Sequence, residues 1–423
     1  MNHFNYKNRE LHGEAVPVAR IAAEVGTPFY LYSGETLAQH FKAFDAPFAP
    51  IPHLSCFAVK SCSNIAILRL FANLGGGADI VSGGELFRAL TAGVDPGKIV
   101  YSGVGKTKEE LEYALKTGIL QFNVESEQEL DALQEVAARL GVIAPVSFRV
   151  NPDVDPQTHA YISTGLAKNK FGIPIETAVE VYLKAGQMAN IKVQGVSCHI
   201  GSQLTMVSPF IESLHKLKIF ISKLQKQGIT ITHLDLGGGL GIQYDEETPP
   251  HPDAYAAAII NEIKELNCTL ILEPGRVIVG NAGILVTRVH YTKQSPTKKF
   301  VVVDAGMNDL ARPSLYGAFH AIKPVIESGL GTEIVDVVGP ICETGDFLAR
   351  DQQVPVSKPG DLLAVMSAGA YGFSMASNYN SRPRVAEIMV AGDRYHVIRT
   401  RENYESLIRG EAIPDFLMAS QIA

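Results

Sequence analysis

Eight short apolar runs, each followed by a helical or polar stretch, constrain this chain more than any other feature. They are His53–Val59, Ala78–Ser82, Lys98–Ser102, Leu120–Glu125, Pro145–Asn151, Val193–Ile200, His233–Gly237 and Thr269–Glu273. Most are continuous rather than alternating in polarity, the pattern of strands buried on both faces. Helical stretches such as Ser126–Leu140 and Pro209–Gln227 lie between them. Eight such units over about 230 residues approach the roughly 250 of a (β/α)8 barrel. A doubly wound open sheet is the main alternative; the count of eight favours the barrel.

The flanks read differently. Residues 1–26 form a polar lead-in with a short amphipathic helix from Val16 to Val25, followed by a strand over Gly26–Ser33 and a helix over Glu35–Phe44. After Arg276 the segments Ile284–Tyr291, Lys299–Asp304, Glu333–Gly339, Asp361–Ala368 and Arg384–Thr400 are strand-like, with Gly, Pro and Asn between them. The predicted class is α/β: a (β/α)8 TIM barrel over residues 34–280 and a second, mainly β C-terminal domain over 281–423. Segment 1–33 is expected to join that domain or bridge the two. In 423 residues no apolar run approaches the roughly 20 needed to span a bilayer, and Met1–Lys7 lacks the apolar stretch of a signal peptide. A net charge of -7 argues against nucleic acid or anionic membrane as partner. The five cysteines (Cys56, Cys62, Cys198, Cys268 and Cys342) are odd in number and form no C-x-x-C pair, which disfavours a disulfide framework or structural zinc. A cytoplasmic enzyme without a metal is the expectation.

In a barrel the chemistry sits at the C-terminal ends of the strands, and polar or glycine-rich residues collect there. The first run delivers Lys60. Burial at a strand end is expected to lower its pKa toward the neutral amine that forms an imine with an aldehyde or ketone, although such a lysine also serves as a solvated cap. Further ends are Ala78-Asp-Ile-Val-Ser-Gly-Gly-Glu85, Cys198-His-Ile-Gly-Ser-Gln203, Leu236-Gly-Gly-Gly-Leu-Gly241 and Glu273-Pro-Gly-Arg276. Consecutive glycines let backbone N–H groups approach an anion, and Arg276 adds charge-assisted donors. Glu273 could keep a pyridine nitrogen protonated, and His199 could stack on that ring or simply be a core histidine. Lysine, phosphate cradle and acid together describe pyridoxal 5'-phosphate. The β domain adds Arg312, Tyr316 and Glu343, suited to a substrate carrying carboxylate and ammonium, and Cys342, a thiol placed to deliver a proton.

These motifs span nearly the whole chain: G-T-P-F-Y-L-Y from Gly26, F-A-V-K-S ending at Ser61, H-I-G-S-Q, G-G-G-L-G, E-P-G-R, A-R-P-S-L-Y-G-A-F-H, C-E-T-G-D and A-Y-G. Together they resemble the fold-type III pyridoxal phosphate decarboxylases, and among them the diaminopimelate decarboxylases. One small departure is Ser61, where alanine is common. The resemblance implies that Lys60 holds the cofactor through its aldehyde and that His199 stacks on the ring. It implies that Ser202, Gly238, Gly239, Gly275, Arg276 and Tyr371 bind the cofactor around its phosphate, and that Glu273 pairs with the ring nitrogen. Arg276, Arg312, Tyr316, Glu343 and Tyr371 would contact substrate, with Cys342 as proton donor. It implies a homodimer with shared sites, so that Cys342 and Glu343 serve the partner's lysine. The implied reaction is decarboxylation of meso-2,6-diaminopimelate to L-lysine, the last step of lysine biosynthesis. Rivals are a decarboxylase of another diamino acid such as carboxynorspermidine or ornithine, an amino-acid racemase on the same barrel, and a pyridoxal phosphate-binding protein without turnover.

Overall fold

The structure, a computed structural model, describes residues 2–155 and 170–418. The eight expected runs form eight parallel strands: His53–Ala58, Gly77–Ile80, Ile99–Tyr101, Gln121–Val124, Ala144–Asn151, Ile191–Ser197, His233–Asp235 and Thr269–Leu272. Each pairs with the next, and the last returns to the first through Leu270 opposite His53, so the sheet is a closed barrel. Closure pairs each of the eight strands on both sides, and the two-residue strand Ile173–Pro174 adds beside Val150 and Asn151.

The helices around it form for local reasons. Glu127–Leu140 starts where the Ser126 side chain accepts the Glu129 N–H, and stops at Gly141, whose φ of 68° suits a residue without Cβ. Its Leu130, Leu133, Val136 and Ala137 recur at helical spacing and are buried. The main core therefore lies between strands and helices. A small apolar plug of Cys56, Val100 and Ile271 sits within the barrel.

The second body is a mainly β sheet. At its centre lies Phe29–Ser33, which pairs antiparallel with Gly283–Gln294 and parallel with Ala386–Ala391. All five of its residues are buried. Tyr30 and Tyr32 face the barrel core, whereas Phe29 and Leu31 pack with Phe4, Leu11, Val16 and Ile21 in a second core. The N-terminal segment thus pairs with the β domain directly.

Three expectations differ from the structure. The polar lead-in contains a hairpin, Phe4–Lys7 with Glu10–Gly13, turned by Asn8 and Arg9 at φ 50° and 68°; two consecutive left-handed residues are the signature of a tight hairpin turn. The run Arg384–Thr400 is two strands, Ala386–Ala391 and Arg394–Arg399, turned at Gly392-Asp393. Phe347–Pro355 is an additional strand whose exposed Arg350 and Asp351 interrupt the apolar pattern. Among the described residues no helix is long and apolar enough to cross a membrane, and no cluster of His, Cys, Asp or Glu could hold a metal ion.

Candidate active site

The C-terminal mouth of the barrel gathers its polar side chains around Lys60, which sits in the turn Val59–Ser61 just past the first strand. Its Nζ lies 2.5 Å from Asp79 Oδ2 on the second strand. A third of the Lys60 side chain remains accessible (34%), whereas Asp79 is wholly buried. The expectation that burial would leave Lys60 as a neutral amine is reversed. Burial does press its pKa down, but Asp79, Glu273 and Tyr371 outweigh this and raise it above the ordinary lysine value. At this separation an opposite charge in a low-dielectric wall exceeds the desolvation penalty.

Glu273 is buried at the end of the eighth strand, where Oε1 accepts from Ser102 Oγ at 3.2 Å and Asn123 Nδ2 at 3.3 Å. Asn123 also donates to Asp235 Oδ2 at 2.8 Å. Burial and the neighbouring Asp235 and Asp79 push the Glu273 carboxyl well above its usual range, and burial lifts Asp235 to about 6. Three carboxyls lie around one lysine, and the nearby Arg149 is already paired with Glu125, so among the described residues this floor is short of positive charge. Among the described residues, the wholly buried Asp79 Oδ1 has no hydrogen-bond partner. A ring nitrogen that takes up a proton fits such a floor.

His199 lines the same pocket with Lys60, Glu273, Ser102, Asn123, Arg149 and Phe171. Burial, then Arg149 and Lys60, hold its pKa well below the usual histidine value, so the imidazole is neutral. Gly238 N–H donates to its Nδ1 at 3.3 Å, leaving the proton on Nε2. The glycine run is required sterically. A Cβ on Gly238 would lie 2.2 Å from the Glu273 carbonyl oxygen, and one on Gly239, at φ 117°, 2.5 Å from the Gly201 oxygen. The loops after the sixth, seventh and eighth strands meet here, Leu204 N–H donating to the Gly239 carbonyl and Glu273 N–H to the Gly237 carbonyl, so that Ser202, Gly238, Gly239 and Arg276 come together while Gly275 packs on Ser61 and Ala58.

Arg276, itself buried, opens a short helix, donating through Nη2 and Nε to Ser202 Oγ (3.0 and 3.3 Å) and through Nη1 to Tyr244 OH (2.7 Å). The Tyr371 ring lies 4.9 Å from its guanidinium. Tyr371 is held in the left-handed region, φ 54°, while its N–H donates to the Ser61 carbonyl at 2.8 Å; that strain ties the β domain to the residue after Lys60. Beyond Arg276 a second pocket is lined by Gln203, Tyr244, Glu247, Arg276, Arg312 and Tyr316, with Ala318 and Phe319. Arg312 is buried and stacks on Tyr244 at 4.9 Å. Among the described residues neither arginine forms an ion pair. Two uncompensated buried cations are a strong anion-binding feature.

Cys342 and Glu343 are not brought to this site within the chain. Both are exposed; Cys342 N–H donates to Asn380 Oδ1 at 2.7 Å, and Glu343 accepts from Tyr379 OH at 2.9 Å. Sequence reasoning missed Asp79, Ser102, Asn123, Arg149, Asp235 and Tyr244. Asp79 and Asp235 had a readable signal, an acid at the end of an apolar strand. Tyr244 had none.

The lysine, the proton-sharing floor and the cradle with paired arginines define a site for a phosphorylated aromatic aldehyde. Residues 35–280 match the family described as "Pyridoxal-dependent decarboxylase, pyridoxal binding domain", and the cofactor is pyridoxal 5'-phosphate. The chain is 52% identical over 413 residues to the diaminopimelate decarboxylase of Pseudomonas aeruginosa, covering 98% of this chain and 99% of that protein. Two solved structures are similar: diaminopimelate decarboxylase from Helicobacter pylori complexed with L-lysine (TM-score 0.90, 45% identity, 92% of this chain and 98% of that one), and that from M. jannaschii in co-complex with L-lysine (TM-score 0.94, 40% identity, 99% and 100%). The chain belongs to the diaminopimelate decarboxylase family.

Proposed function

We propose that the protein removes the carboxylate at the D-centre of meso-2,6-diaminopimelate, giving carbon dioxide and L-lysine, the last step of lysine biosynthesis. The observation that carries the substrate is the pair of buried guanidiniums of Arg276 and Arg312 lining the second pocket, neither in an ion pair among the described residues. One anion is the cofactor phosphate; the second is the carboxylate that diaminopimelate keeps at its distal centre. Ornithine and arginine present only a cation there and would face Arg312 as a like charge.

Bound pyridoxal phosphate supplies an electron-withdrawing ring that accepts the electron pair left when carbon dioxide departs. The chain's own residues do the rest. Lys60 would hold the cofactor through its aldehyde, and Asp79, 2.5 Å from Nζ, would fix the position of that nitrogen. Glu273, its carboxyl fixed by Ser102 and Asn123, would pair with the ring nitrogen and keep it protonated. His199, neutral, would pack against the ring without repelling its proton. Ser202, Gly238, Gly239, Arg276 and Tyr371 would hold the phosphate, with Gly275 also against the cofactor. Arg276, Arg312, Tyr316, Glu343 and Tyr371 bind substrate, and Cys342 returns a proton to the decarboxylated carbon.

Cys342 and Glu343 are exposed on the chain that carries them, which supports a homodimer in which each protomer lends both to its partner's Lys60. In this division residues 34–280 carry the cofactor, and 281–423 with segment 1–33 complete the site. Five free cysteines agree with a reducing cytoplasmic setting.

The test is release of carbon dioxide and L-lysine from meso-diaminopimelate by purified protein with added pyridoxal phosphate, with ornithine and arginine run in parallel. Lysine from diaminopimelate alone is the expected result. Turnover of ornithine at a comparable rate would overturn the assignment of the distal carboxylate to Arg312.

A further inference from the structure

We infer that His320 is a positioning residue for Arg312, and that by accepting a hydrogen bond without carrying charge it makes the second pocket select a distal carboxylate. The inference rests on the proposed role of Arg312 as the ligand of that carboxylate.

His320 is completely buried. Its Nδ1 lies 2.9 Å from the Met366 carbonyl oxygen. A carbonyl only accepts, so Nδ1 carries the proton. Nε2 is therefore an acceptor, and 3.3 Å from it is Arg312 Nε, which can only donate. The two neighbours admit one neutral tautomer in one orientation. Burial, with Arg312 beside it, carries the His320 pKa down to about 3, so the ring stays neutral near pH 7. Its backbone is anchored too, the His320 carbonyl accepting from Gln352 Nε2 at 3.1 Å.

Tyr244 completes the mount. Its ring meets His320 edge-on at 5.4 Å and lies against the Arg312 guanidinium at 4.9 Å, while its hydroxyl accepts from Arg276. Arg312 thus spends Nε and one face on its mount. Among the described residues, no hydrogen bond or ion pair engages its two terminal nitrogens. These form the planar fork that matches a carboxylate. Glu247 is the one acid among the described lining residues, and it accepts from the Tyr244 and Asp245 backbone N–H groups.

A buried arginine is ordinarily matched by a carboxylate. A carboxylate in place of His320 would hold the guanidinium equally well and cancel its attraction for the substrate. A neutral acceptor separates orientation from neutralisation, and that separation is what a carboxylate-selective pocket needs.

The holoenzyme and its His320→Gln, His320→Leu, His320→Glu and Arg312→Lys variants decide this. The measurements are kcat and KM for meso-diaminopimelate, melting temperature, and inhibition by L-lysine and by 1,5-diaminopentane. L-lysine keeps the distal carboxylate and 1,5-diaminopentane lacks it. His320→Gln, which retains an acceptor, should leave KM within about threefold, and His320→Leu should raise it about tenfold with little change in kcat. His320→Glu, isosteric with the glutamine, should raise KM most while melting no lower than His320→Leu, and should lose the preference for L-lysine over 1,5-diaminopentane. Equal KM and equal inhibitor preference in the Gln and Glu variants would overturn the charge argument. A raised KM in Arg312→Lys with no change in any His320 variant would overturn the positioning role alone. An unchanged KM in Arg312→Lys would remove the carboxylate reading of Arg312, and this inference with it.

Discussion

Lys60 shows how much one neighbour decides. Its position after an apolar strand suggests a depressed pKa, yet Asp79 converts it into a held ammonium. Borohydride reduction of the loaded protein should fix cofactor mass on the wild-type chain and none on Lys60→Ala, read by mass spectrometry; cofactor mass fixed on another lysine would refute the assignment. His320 offers a prediction free of kinetics. Its folded pKa of about 3 lies below the ordinary 6.5. Between those values an unfolded chain takes up a proton there that the folded chain does not, so stability falls as pH drops through that window. His320→Gln should flatten this acid limb, lowering the loss of denaturation free energy between pH 7 and pH 5. A loss identical to that of wild type would show that the imidazole is not held neutral.

At the scale of elements, the loop after the seventh strand has no room to vary. Gly238→Ala places a methyl 2.2 Å from the Glu273 carbonyl oxygen, so either the cradle or the end of the eighth strand must move. Cofactor affinity, titrated by fluorescence, should fall by about tenfold or more, with a melting temperature below that of wild type. Behind Lys60 the barrel and the β domain are joined by Glu387, which is buried and accepts from Tyr32 OH (3.0 Å), Asn64 Nδ2 (2.9 Å) and Arg399 Nε (2.6 Å). Asn64 also caps the helix that follows Lys60. Glu387→Ala leaves Arg399 and two hydrogen-bonding side chains without their partner, and should cost about 3 kcal/mol in chemical denaturation; a cost below about 1 kcal/mol would mean that the strut is solvated rather than buried.

At the scale of the molecule, the proposed sharing of sites has a direct readout. Lys60→Ala and Cys342→Ala homodimers should each be impaired, but mixed subunits restore one intact site in every hybrid dimer. Random reassembly should then recover up to about a quarter of wild-type activity. No recovery, with hybrids demonstrated, would place Cys342 and Lys60 in the same chain's site.

The barrel was legible because its signal is local. Eight buried strands must each be apolar along their length, and helices between them must repeat apolar residues at 3.6-residue spacing, whatever else the chain does. The glycine run, Glu273 and Arg276 were legible for a related reason, since strand ends of a barrel converge and motifs there need not be adjacent in sequence to meet. Where the pattern is broken by charge, as at Arg350 and Asp351, the strand was lost from view. What the chain alone could not decide depends on distances across the closed barrel and between its two bodies. Asp79 is 19 residues from Lys60 and 2.5 Å away in space. Tyr244 lies in a loop with no motif of its own, yet it touches both arginines. Charge state follows Coulomb's law at those separations, and only the folded chain sets them.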